Sequence, residues 1–521
     1  MTKRIIIPGP PGTGKTYRLI NTYLKKEVNE HKTPVKKIGF FTFSRTASEV
    51  AKQRAIKFLT NIDWDEDLKY FSTLHALGAR ECDIDTNTQL LKGKKWDMFK
   101  SYVGGFAERL NFDTFTTEDG GIVYGNEYMK IINLARSRKI SLENQYNLQE
   151  HLQDIGFNDL DYLNRCLIKY KKDNQMYEFI DMISLFVEKE KCPPLDAVFL
   201  DEAQDLNNLQ WDMFHYIESK AKRSYIAGDD DQSIMGFQGS NSAHFVKLHK
   251  DKDTEIDRSL VKSRRVPRAV LKIAKSILEK IPSGERVPKE WLPTDFEGTV
   301  SFVSNYESID FSKGRWLIQT RTNKMLEPIK DFFEDKGFYY SSKKGNSLVS
   351  KELFIAIDSW NKLNEGLLVP AKSARKMYSY MSVTGGKIQR GFGTGKSFKE
   401  ISEEVICLDD LRKDHGLLAT GSWQQVFDKL DERRKQYILT LQENKEDISP
   451  TSKPRIRLST IHGAKGDEDE NIVHFLDLDI LSYNEFQRNP NPEHRLQFVG
   501  VTRTISNLYL VNPTGQYGYQ I

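Results

Sequence analysis

The stretch that decides the fold is "RIIIPGPPGTGKTYRLI", residues 4–20. Three consecutive isoleucines precede the pattern GxxxxGKT, which runs from Gly9 to Thr16, and a helical pattern follows it. In such a loop, glycines let backbone N–H groups wrap phosphate oxygens, Lys15 reaches the terminal phosphates and the Thr16 hydroxyl suits Mg²⁺. A strand, a phosphate loop and a helix in this order predict an α/β domain that binds a nucleoside triphosphate. A glycine loop without a ligand is the competing interpretation, which this context disfavours.

The phosphate loop supplies a defined set of candidate nucleotide contacts. They are Gly9, Pro10, Pro11, Gly12, Thr13, Gly14, Lys15 and Thr16. A later pattern, "RGFGTGKS", has Arg390 where the first glycine should stand, and no apolar strand precedes it. That second pattern therefore indicates a flexible basic surface loop.

The composition indicates a multidomain globular protein. A chain of 521 residues exceeds the size of a single core, and 38% hydrophobic with 29% charged residues suits folded domains. No apolar run is long enough to cross a bilayer, and "MTKRIIIPGP" is too short for a secretory signal. These features predict a cytoplasmic protein without a membrane partner.

Neither the charge balance nor the cysteines identify a partner. The 77 basic and 73 acidic residues leave a net charge of +4, so nucleic-acid binding would need local patches. The four cysteines, Cys82, Cys166, Cys192 and Cys407, show no C-x-x-C spacing. We therefore predict reduced, mostly buried thiols, without a structural zinc site or a disulfide framework.

Eight apolar runs, each ending in a polar or glycine-rich stretch, predict buried parallel strands. They are RIIIPGP, KIGFFTFS, DAVFLDEA, SYIAGDDD, RWLIQTR, IRLSTIHG, NIVHFLDL and NLYLVNP. Ligands of parallel sheets bind beyond the carboxyl ends of the strands, so the polar stretches should form the site. A polar helical region from about residue 79 and a mixed region from about residue 344 interrupt the pattern, and both are predicted to be insertions.

An acidic pair after one of these runs completes the candidate nucleotide site. In "VFLDEAQD", Asp201 suits a direct or water-mediated contact to Mg²⁺, and Glu202 suits the orientation or deprotonation of an attacking water. Two solvated carboxylates are the competing interpretation, which the presence of a phosphate loop makes less favourable.

Eight motifs follow one another along the chain: GPPGTGKT, TFSRTASEVAKQR, FSTLHALG, LDEAQDLNNLQ, GDDDQSIMGFQG, SRRVPRAV, STIHGAKGDEDE and EHRLQFVGVTR. In this order they resemble the motifs of the UvrD/Rep/PcrA-like helicases of superfamily 1A. The resemblance spans nearly the whole chain, and the ordered set is far more specific than any one motif. It implies an ATP- and Mg²⁺-dependent DNA helicase with two RecA-like parallel-sheet domains. A compact chain of this kind would suit a bacteriophage.

The resemblance also implies catalytic roles outside the phosphate loop. Gln232 corresponds to the family's γ-phosphate-sensing glutamine, while Arg265 and Arg503 correspond to two arginines that reach the γ-phosphate from the second domain. With Lys15 and Glu202 they form the expected catalytic set. An arginine supplied across a cleft contributes roughly 10³- to 10⁵-fold in rate, so domain closure is expected to switch hydrolysis on.

Base recognition is expected to differ from that of relatives. Arg264 stands where the family has an adenine-stacking tyrosine, and a guanidinium stacks on a base without reading a particular edge. Only eight residues precede Gly9, and none is the glutamine with which relatives hold adenine. The resemblance places Glu468 near the ribose. Loose selectivity, with GTP or CTP accepted beside ATP, is therefore expected.

The loop "HGAKGDEDE" links nucleotide to DNA in the family and contains His462 and Lys465. Asp467 and Asp469 depart from the family pattern, which usually has apolar residues there. A solvated acidic turn is the competing interpretation of these two aspartates.

Several motif residues match positions that contact single-stranded DNA in the family. They are Thr42, Phe43, Arg45, Thr73, His75, Phe237 and His462. Aromatic side chains stack on any base at about 1 to 3 kcal/mol each, which permits tracking without sequence preference. A core position is an open alternative for Phe43. The basic glycine-rich loop from Gly385 to Lys399 is a further candidate contact, for duplex DNA.

The family plan predicts four domains. Domain 1A takes residues 1–78 and 195–256, around a helical inserted domain 1B at 79–194. Domain 2A takes residues 257–343 and 454–521, around a small mixed inserted domain 2B at 344–453.

We expect a translocase that moves 3′ to 5′ on single-stranded DNA and opens single/double-strand junctions, with the polarity inferred from the family alone. Replication, repair or recombination proteins are the expected protein partners. Because the 2B segment is short, the alternative is an ATP-gated DNA-binding or protein-displacing factor without productive strand separation. A nuclease fusion is disfavoured because little chain follows the last motif.

Overall fold

Two six-stranded parallel sheets organise the chain. The computed structural model describes residues 2–59, 62–106, 114–116, 122–124, 127–148, 156–342, 348–392, 404–449 and 451–521. In chain order the strands are β1 (Lys3–Pro8), β2 (Ile38–Thr42), β3 (Phe71–Thr73), β4 (Thr114–Thr116), β5 (Ile122–Tyr124), β6 (Ala197–Leu200), β7 (Arg223–Gly228), β8 (Thr254–Ile256), β9 (Thr299–Val303), β10 (Trp316–Thr320), β11 (Tyr340–Ser342), β12 (Val369–Pro370), β13 (Val405–Ile406), β14 (Ile456–Thr460), β15 (Asp469–Phe475) and β16 (Thr504–Val511).

The helices fall between and around these strands. In chain order they are α1 (Lys15–Arg18), α2 (Lys25–Asn29), α3 (Arg45–Ala55), α4 (Trp64–Asp67), α5 (Leu74–Glu81), α6 (Lys94–Val103), α7 (Glu127–Arg138), α8 (Leu142–Asn147), α9 (Phe157–Asn174), α10 (Phe179–Lys189), α11 (Asn208–Lys220), α12 (Ala243–Lys250), α13 (Arg268–Glu279), α14 (Glu327–Lys336), α15 (Lys351–Asn364), α16 (Ala371–Tyr378), α17 (Leu408–Asp414), α18 (Trp423–Val426), α19 (Glu432–Glu443), α20 (Ile480–Arg488) and α21 (Pro490–Val501). A π-helical stretch, Leu19–Leu24, joins α1 to α2.

The first sheet has the order β3-β2-β6-β7-β1-β8. In β1, Ile5 and Ile7 pack into one hydrophobic cluster and Ile6 into another on the opposite face. Helices α3 and α11 contribute to these two clusters, one on each face. A strand covered on both faces is apolar at consecutive positions rather than alternate ones, which is why the run Ile-Ile-Ile predicted it.

The second sheet has the order β11-β14-β10-β15-β16-β9. Leu317 of β10 packs with α13 and α21, while Trp316 and Ile318 face a cluster that continues into the segment 344–453. Trp360 of α15 is 1% exposed in that shared cluster. The second insertion therefore has no core separate from the sheet among the described residues.

The first insertion, within residues 79–194, has a hydrophobic cluster of its own. Helices α6, α7 and α9 enclose their own cluster around Phe99 and Leu163, and β4 pairs antiparallel with β5. Helix α10 lies in the same insertion but packs Met182 and Phe186 into the core of the first sheet. The insertion is therefore mainly helical, with one small hairpin.

The predicted fold class, α/β with two parallel-sheet RecA-like domains, is confirmed, and all eight apolar runs form central strands. The four strands without such a run, β3, β8, β9 and β11, are the edges of the two sheets. Three of them have three residues and β9 is half exposed, so none produces a long apolar pattern. The strands of the two sheets lie within the ranges expected for 1A and 2A, while the domain boundaries stay a prediction.

Further expectations concern membrane-spanning helices, the cysteines and the glycine-rich loop. No helix in the described ranges is both long and apolar enough to cross a bilayer. All four cysteines are free thiols; Cys82 is buried and the other three are half-buried. Residues 393–399 of the glycine-rich loop from Gly385 to Lys399 lie outside the described residues, so its contact with duplex DNA stays a prediction.

Candidate functional site

The phosphate loop connects the carboxyl end of β1 to α1. Gly12 and Gly14 have φ angles of 74° and 92°, a left-handed region that favours glycine. Lys15 is buried, and its Nζ donates to the Gly9 carbonyl oxygen at 3.0 Å. The loop therefore leads into the start of the helix at Lys15, and N–H groups at a helix N-terminus are suited to bind phosphate.

Thr16 and Asp201 are in direct contact beside the phosphate loop. The Thr16 hydroxyl donates to Asp201 Oδ2 at 2.6 Å, and Asp201 lies directly after β6. Burial and the neighbouring charge of Glu202 raise the pKa of Asp201 to about 6. An oxygen pair with an unfavourable buried charge fits a hard divalent cation.

Glu202 adopts a left-handed backbone conformation, with φ 55°, which is uncommon for a residue other than glycine. Burial by itself raises its pKa, but Lys15 and Lys465 outweigh this effect, so the pKa lies below its ordinary value. The Gln204 side chain donates to its Oε2 atom. Glu202 is therefore a carboxylate at neutral pH, held beside the phosphate loop.

Gln232 connects the two sheets. It ends the short turn Asp230–Gln232 after β7, and its Nε2 donates to Asp229 Oδ2 at 2.6 Å. Its Oε1 accepts a hydrogen bond of 3.0 Å from Arg503 Nη2. Arg503 lies between α21 and β16, in the part of the chain that forms the second sheet. The residues expected to sense and stabilise the γ-phosphate thus touch each other.

Arg503 is almost fully buried, and its Nε donates to the Val499 carbonyl at 2.9 Å. Burial and the nearby charge of Arg265 lower the pKa of Arg503 to about 9. The Arg503 guanidinium therefore remains a cation at neutral pH. An anion bound next to it would stabilise its positive charge.

Arg265 and Glu468 form an ion pair of 2.9 Å. The Nε atom of Arg265 is buried and has no hydrogen-bond partner among the described residues. The structure therefore places one more arginine donor beside Arg503, as the resemblance implies.

Arg264 lies over the ring of Tyr17, with its guanidinium carbon 5.2 Å from the ring centre. Its backbone N–H donates to the Gly12 carbonyl at 2.9 Å, so this pair stands next to the phosphate loop. Sequence reasoning missed Tyr17, although an exposed aromatic residue two positions after Lys15 was a usable signal.

The loop after β14 also crosses between the sheets. Lys465 Nζ donates to Asp205 Oδ2 at 2.6 Å and to the Gln232 carbonyl at 2.8 Å. Burial raises the pKa of Asp205 to about 6, although Lys465 opposes the shift.

The interpretation of Asp467 and Asp469 as a solvated turn is wrong for Asp469. That carboxylate is 1% exposed and pairs with Arg457 at 2.8 Å and with Arg315 at 3.0 Å. Asp467 is half-buried and lies 3.4 Å from Arg457. Ion pairing lets an aspartate occupy a buried position where the family has an apolar residue.

Two of the expected DNA contacts are buried threonines. Thr42 and Thr73 are paired in register at the edge of the first sheet. The Thr42 hydroxyl donates to the Ser44 carbonyl at 2.8 Å, and the Thr73 hydroxyl accepts from the Ala76 N–H at 3.2 Å. Their side chains hold the local backbone, and their contact with DNA stays a prediction.

The aromatic and basic candidates are distributed over both sheets. Phe237 is 43% exposed and its ring meets His462 edge-on at 5.2 Å. Burial and the charge of Arg321 lower the pKa of His462 to about 3, so it is neutral.

Arg45 is exposed at the start of α3. Phe43 is half-buried and packs against the core beside the second sheet, which favours the core alternative.

The structure adds one aromatic residue that sequence reasoning missed. Phe179 is 48% exposed at the start of α10, and its ring meets that of His75 edge-on at 6.2 Å. Only the packing of α10 on the first sheet brings these residues together, so no local sequence signal identified Phe179.

Comparison with protein families matches residues 1–253 to the UvrD/REP helicase N-terminal domain. The ATP-dependent DNA helicase PcrA of Leuconostoc citreum is 27% identical over 128 residues, 23% of this chain and 17% of the relative. The putative ATP-dependent DNA helicase YjcD of Bacillus subtilis is 32% identical over 92 residues, 16% of this chain and 12% of the relative. The ATP-dependent DNA helicase PcrA of Staphylococcus aureus is 21% identical over 301 residues, 55% of this chain and 39% of the relative. Each match covers less than half of the relative.

Proposed function

We propose that this chain, whose residues 1–253 match the UvrD/REP helicase N-terminal domain, is an ATP-hydrolysing motor that moves 3′ to 5′ on single-stranded DNA and separates the strands at a duplex junction. The observation that carries the proposal is the contact between Gln232 on the first sheet and Arg503 on the second. A γ-phosphate held by the loop at Lys15 would bind to both side chains. Its hydrolysis and release would therefore change the force that holds the two sheets together.

The site residues divide the chemistry among them. Mg²⁺, which fits Thr16 and Asp201, would neutralise phosphate charge. Glu202 would orient the attacking water, and Lys15, Arg265 and Arg503 would stabilise charge on the transferred phosphoryl group. Each opened base-pair step costs about 1.4 kcal/mol of stacking. Alternating closure and opening of the two sheets would supply that work.

Replacing Glu202 with glutamine should slow ATP turnover roughly 100-fold or more while nucleotide still binds, because the amide keeps the shape but cannot accept a proton. Steady-state ATPase rates and nucleotide titration measure the two effects. Glu66→Gln, at an exposed position on α4, is the matched control and should match the wild type. Normal turnover of the Glu202 variant would assign the water to another residue.

Replacing Phe237 with alanine should weaken binding to single-stranded DNA by about 1 to 3 kcal/mol, roughly 5- to 150-fold, through lost base stacking. Fluorescence anisotropy with a labelled oligonucleotide measures the affinity. Phe302→Ala is the matched control, because Phe302 is 55% exposed on β9, far along the chain from the expected DNA motifs. Equal affinities of wild type and Phe237→Ala would remove Phe237 from the DNA path.

Partial duplexes with opposite single-stranded tails test the direction of movement and whether movement separates the strands. We expect ATP-dependent opening of the substrate with a 3′ tail, and preferential opening of the 5′-tailed substrate would refute the polarity. Single-turnover strand separation distinguishes the helicase from a DNA-dependent ATPase that only binds DNA or displaces proteins. The shared core of the segment 344–453 and the second sheet favours this second function, since that segment offers no independently folded arm among the described residues.

A base bound beside the phosphate loop would meet Tyr17 and Arg264. Both groups bind the face of a base rather than its edge. We therefore propose that ATP, GTP and CTP are hydrolysed at comparable rates. Hydrolysis of only ATP and dATP at equal concentrations would reveal an adenine-specific contact.

A further inference from the structure

Three consecutive carboxylates, those of Asp229, Asp230 and Asp231, are buried at the carboxyl end of β7. Lys289 lies between α13 and β9, in the chain that leads into the second sheet, and reaches all three of them. Its Nζ is 2.6 Å from Asp229, 2.5 Å from Asp230 and 2.9 Å from Asp231. The lysine side chain is 5% exposed. Buried carboxylates in such a group are tolerated only when a cation neutralises them, so Lys289 holds this cluster together.

One of these carboxylates determines the orientation of Gln232. Asp229 uses Oδ1 for Lys289 and Oδ2 for the Gln232 Nε2, at 2.6 Å in each case. A carboxylate only accepts and an arginine only donates, so the amide has one satisfactory orientation: NH₂ toward Asp229 and oxygen toward Arg503. The contacts Lys289–Asp229–Gln232–Arg503 form one continuous chain.

We infer that Lys289 is a positioning residue for the phosphate-sensing amide of Gln232, acting through Asp229. The inference rests on the proposed function, in which Gln232 and Arg503 meet the γ-phosphate. Lys289 touches neither of these residues, so it affects turnover by fixing which atom of the amide faces Arg503. Because Lys289 precedes the second sheet and Asp229 follows a strand of the first, the amide is correctly oriented only when these two parts are docked.

The neighbouring Arg286 supplies a matched control. It contacts Asp231 Oδ1 at 2.6 Å and Asp231 Oδ2 at 3.0 Å, and it also donates to the Leu278 carbonyl. It belongs to the same ion cluster and carries the same charge as Lys289. It makes no hydrogen bond or ion pair with Asp229, so a loss of kcat that came from cluster stability alone would accompany the loss of thermal stability in both variants.

The test compares Lys289→Gln with Arg286→Gln in the full chain, with kcat and KM for ATP measured at saturating single-stranded DNA and the midpoint of thermal unfolding. Both variants should lower the midpoint. Only Lys289→Gln should lower kcat, by about tenfold or more, a change of roughly 1.4 kcal/mol in the barrier, with KM within about threefold. Equal losses of kcat in the two variants would overturn the inference.

Two further measurements separate positioning from stability. Lys289→Gln combined with Asp230→Asn keeps the net charge of the cluster and should still show the low kcat. In a Gln232→Ala background, Lys289→Gln should cause no further loss of kcat, whereas additive losses would contradict positioning through Gln232. A wild type without ATPase activity would refute the proposed function and this inference with it. An active wild type with a normal Lys289→Gln variant would refute the inference alone.

Discussion

Replacing Arg503 with alanine should lower ATP turnover roughly 10³-fold or more, while affinity for single-stranded DNA stays within about threefold. The arginine is buried, donates to Gln232 from the second sheet and has a pKa lowered to about 9 by burial and by Arg265. A cation that is already desolvated and held in place needs little rearrangement to stabilise a developing negative charge. Steady-state ATPase rates with saturating DNA measure the effect.

The control for this experiment is Arg488→Ala. Arg488 is exposed in the last turn of α20 and has the same charge, so its loss should leave turnover unchanged. Arg265→Ala should act in the same direction as Arg503→Ala, because its guanidinium lies in the same site. If Arg503→Ala retains turnover near that of the wild type, Arg503 does not stabilise the transferred phosphoryl group, and the contact between Gln232 and Arg503 does not couple hydrolysis to the two sheets.

Replacing Lys15 with alanine should abolish ATP hydrolysis and ATP-dependent strand separation, with a loss of about 10³-fold or more. Lys15 Nζ lies against the Gly9 carbonyl within the loop, where it would meet the terminal phosphates. Both activities are measured on the same preparation, together with the thermal unfolding midpoint. The midpoint should change by only a few degrees, since Lys15 makes its hydrogen bond within the loop.

Lys25→Ala is the matched control for Lys15→Ala. Lys25 is exposed at the start of α2, which continues the same helical segment, and its loss should change neither activity. Full ATPase activity in Lys15→Ala would show that nucleotide is hydrolysed elsewhere, and it would remove the central assignment of this site.

The central strands and the phosphate loop were predictable because their signals are local. Burial on both faces makes a central strand apolar at consecutive positions, as in Ile5-Ile6-Ile7, and Gly12 and Gly14 of the loop adopt φ values that other residues avoid. The edge strands β3, β8, β9 and β11 escaped prediction because an edge is short or partly solvated. The same locality explains why Asp201 and Glu202 were found at the end of a strand.

The relations between distant parts of the site were not predictable from local patterns. The resemblance identified Gln232 and Arg503, but their direct contact joins residues that are 271 positions apart. A solvated turn was an open interpretation of Asp469, but this carboxylate is buried in the fold because Arg457 of β14 and Arg315 form ion pairs with it. Phe179 and Lys289 had no local signal in the sequence. Each was identified by its contact with a distant residue, His75 for Phe179 and Asp229 for Lys289.

By itself, the sequence determined an α/β core with a phosphate-loop pattern and an ordered set of motifs that resemble those of UvrD-like helicases, because strand burial and loop conformation depend on residues close together in the chain. Only the tertiary structure decided how the two sheets meet. Side chains such as Lys289 and Arg503 bind to groups on the other sheet, and the long-range packing that brings them together leaves no periodic pattern in the sequence.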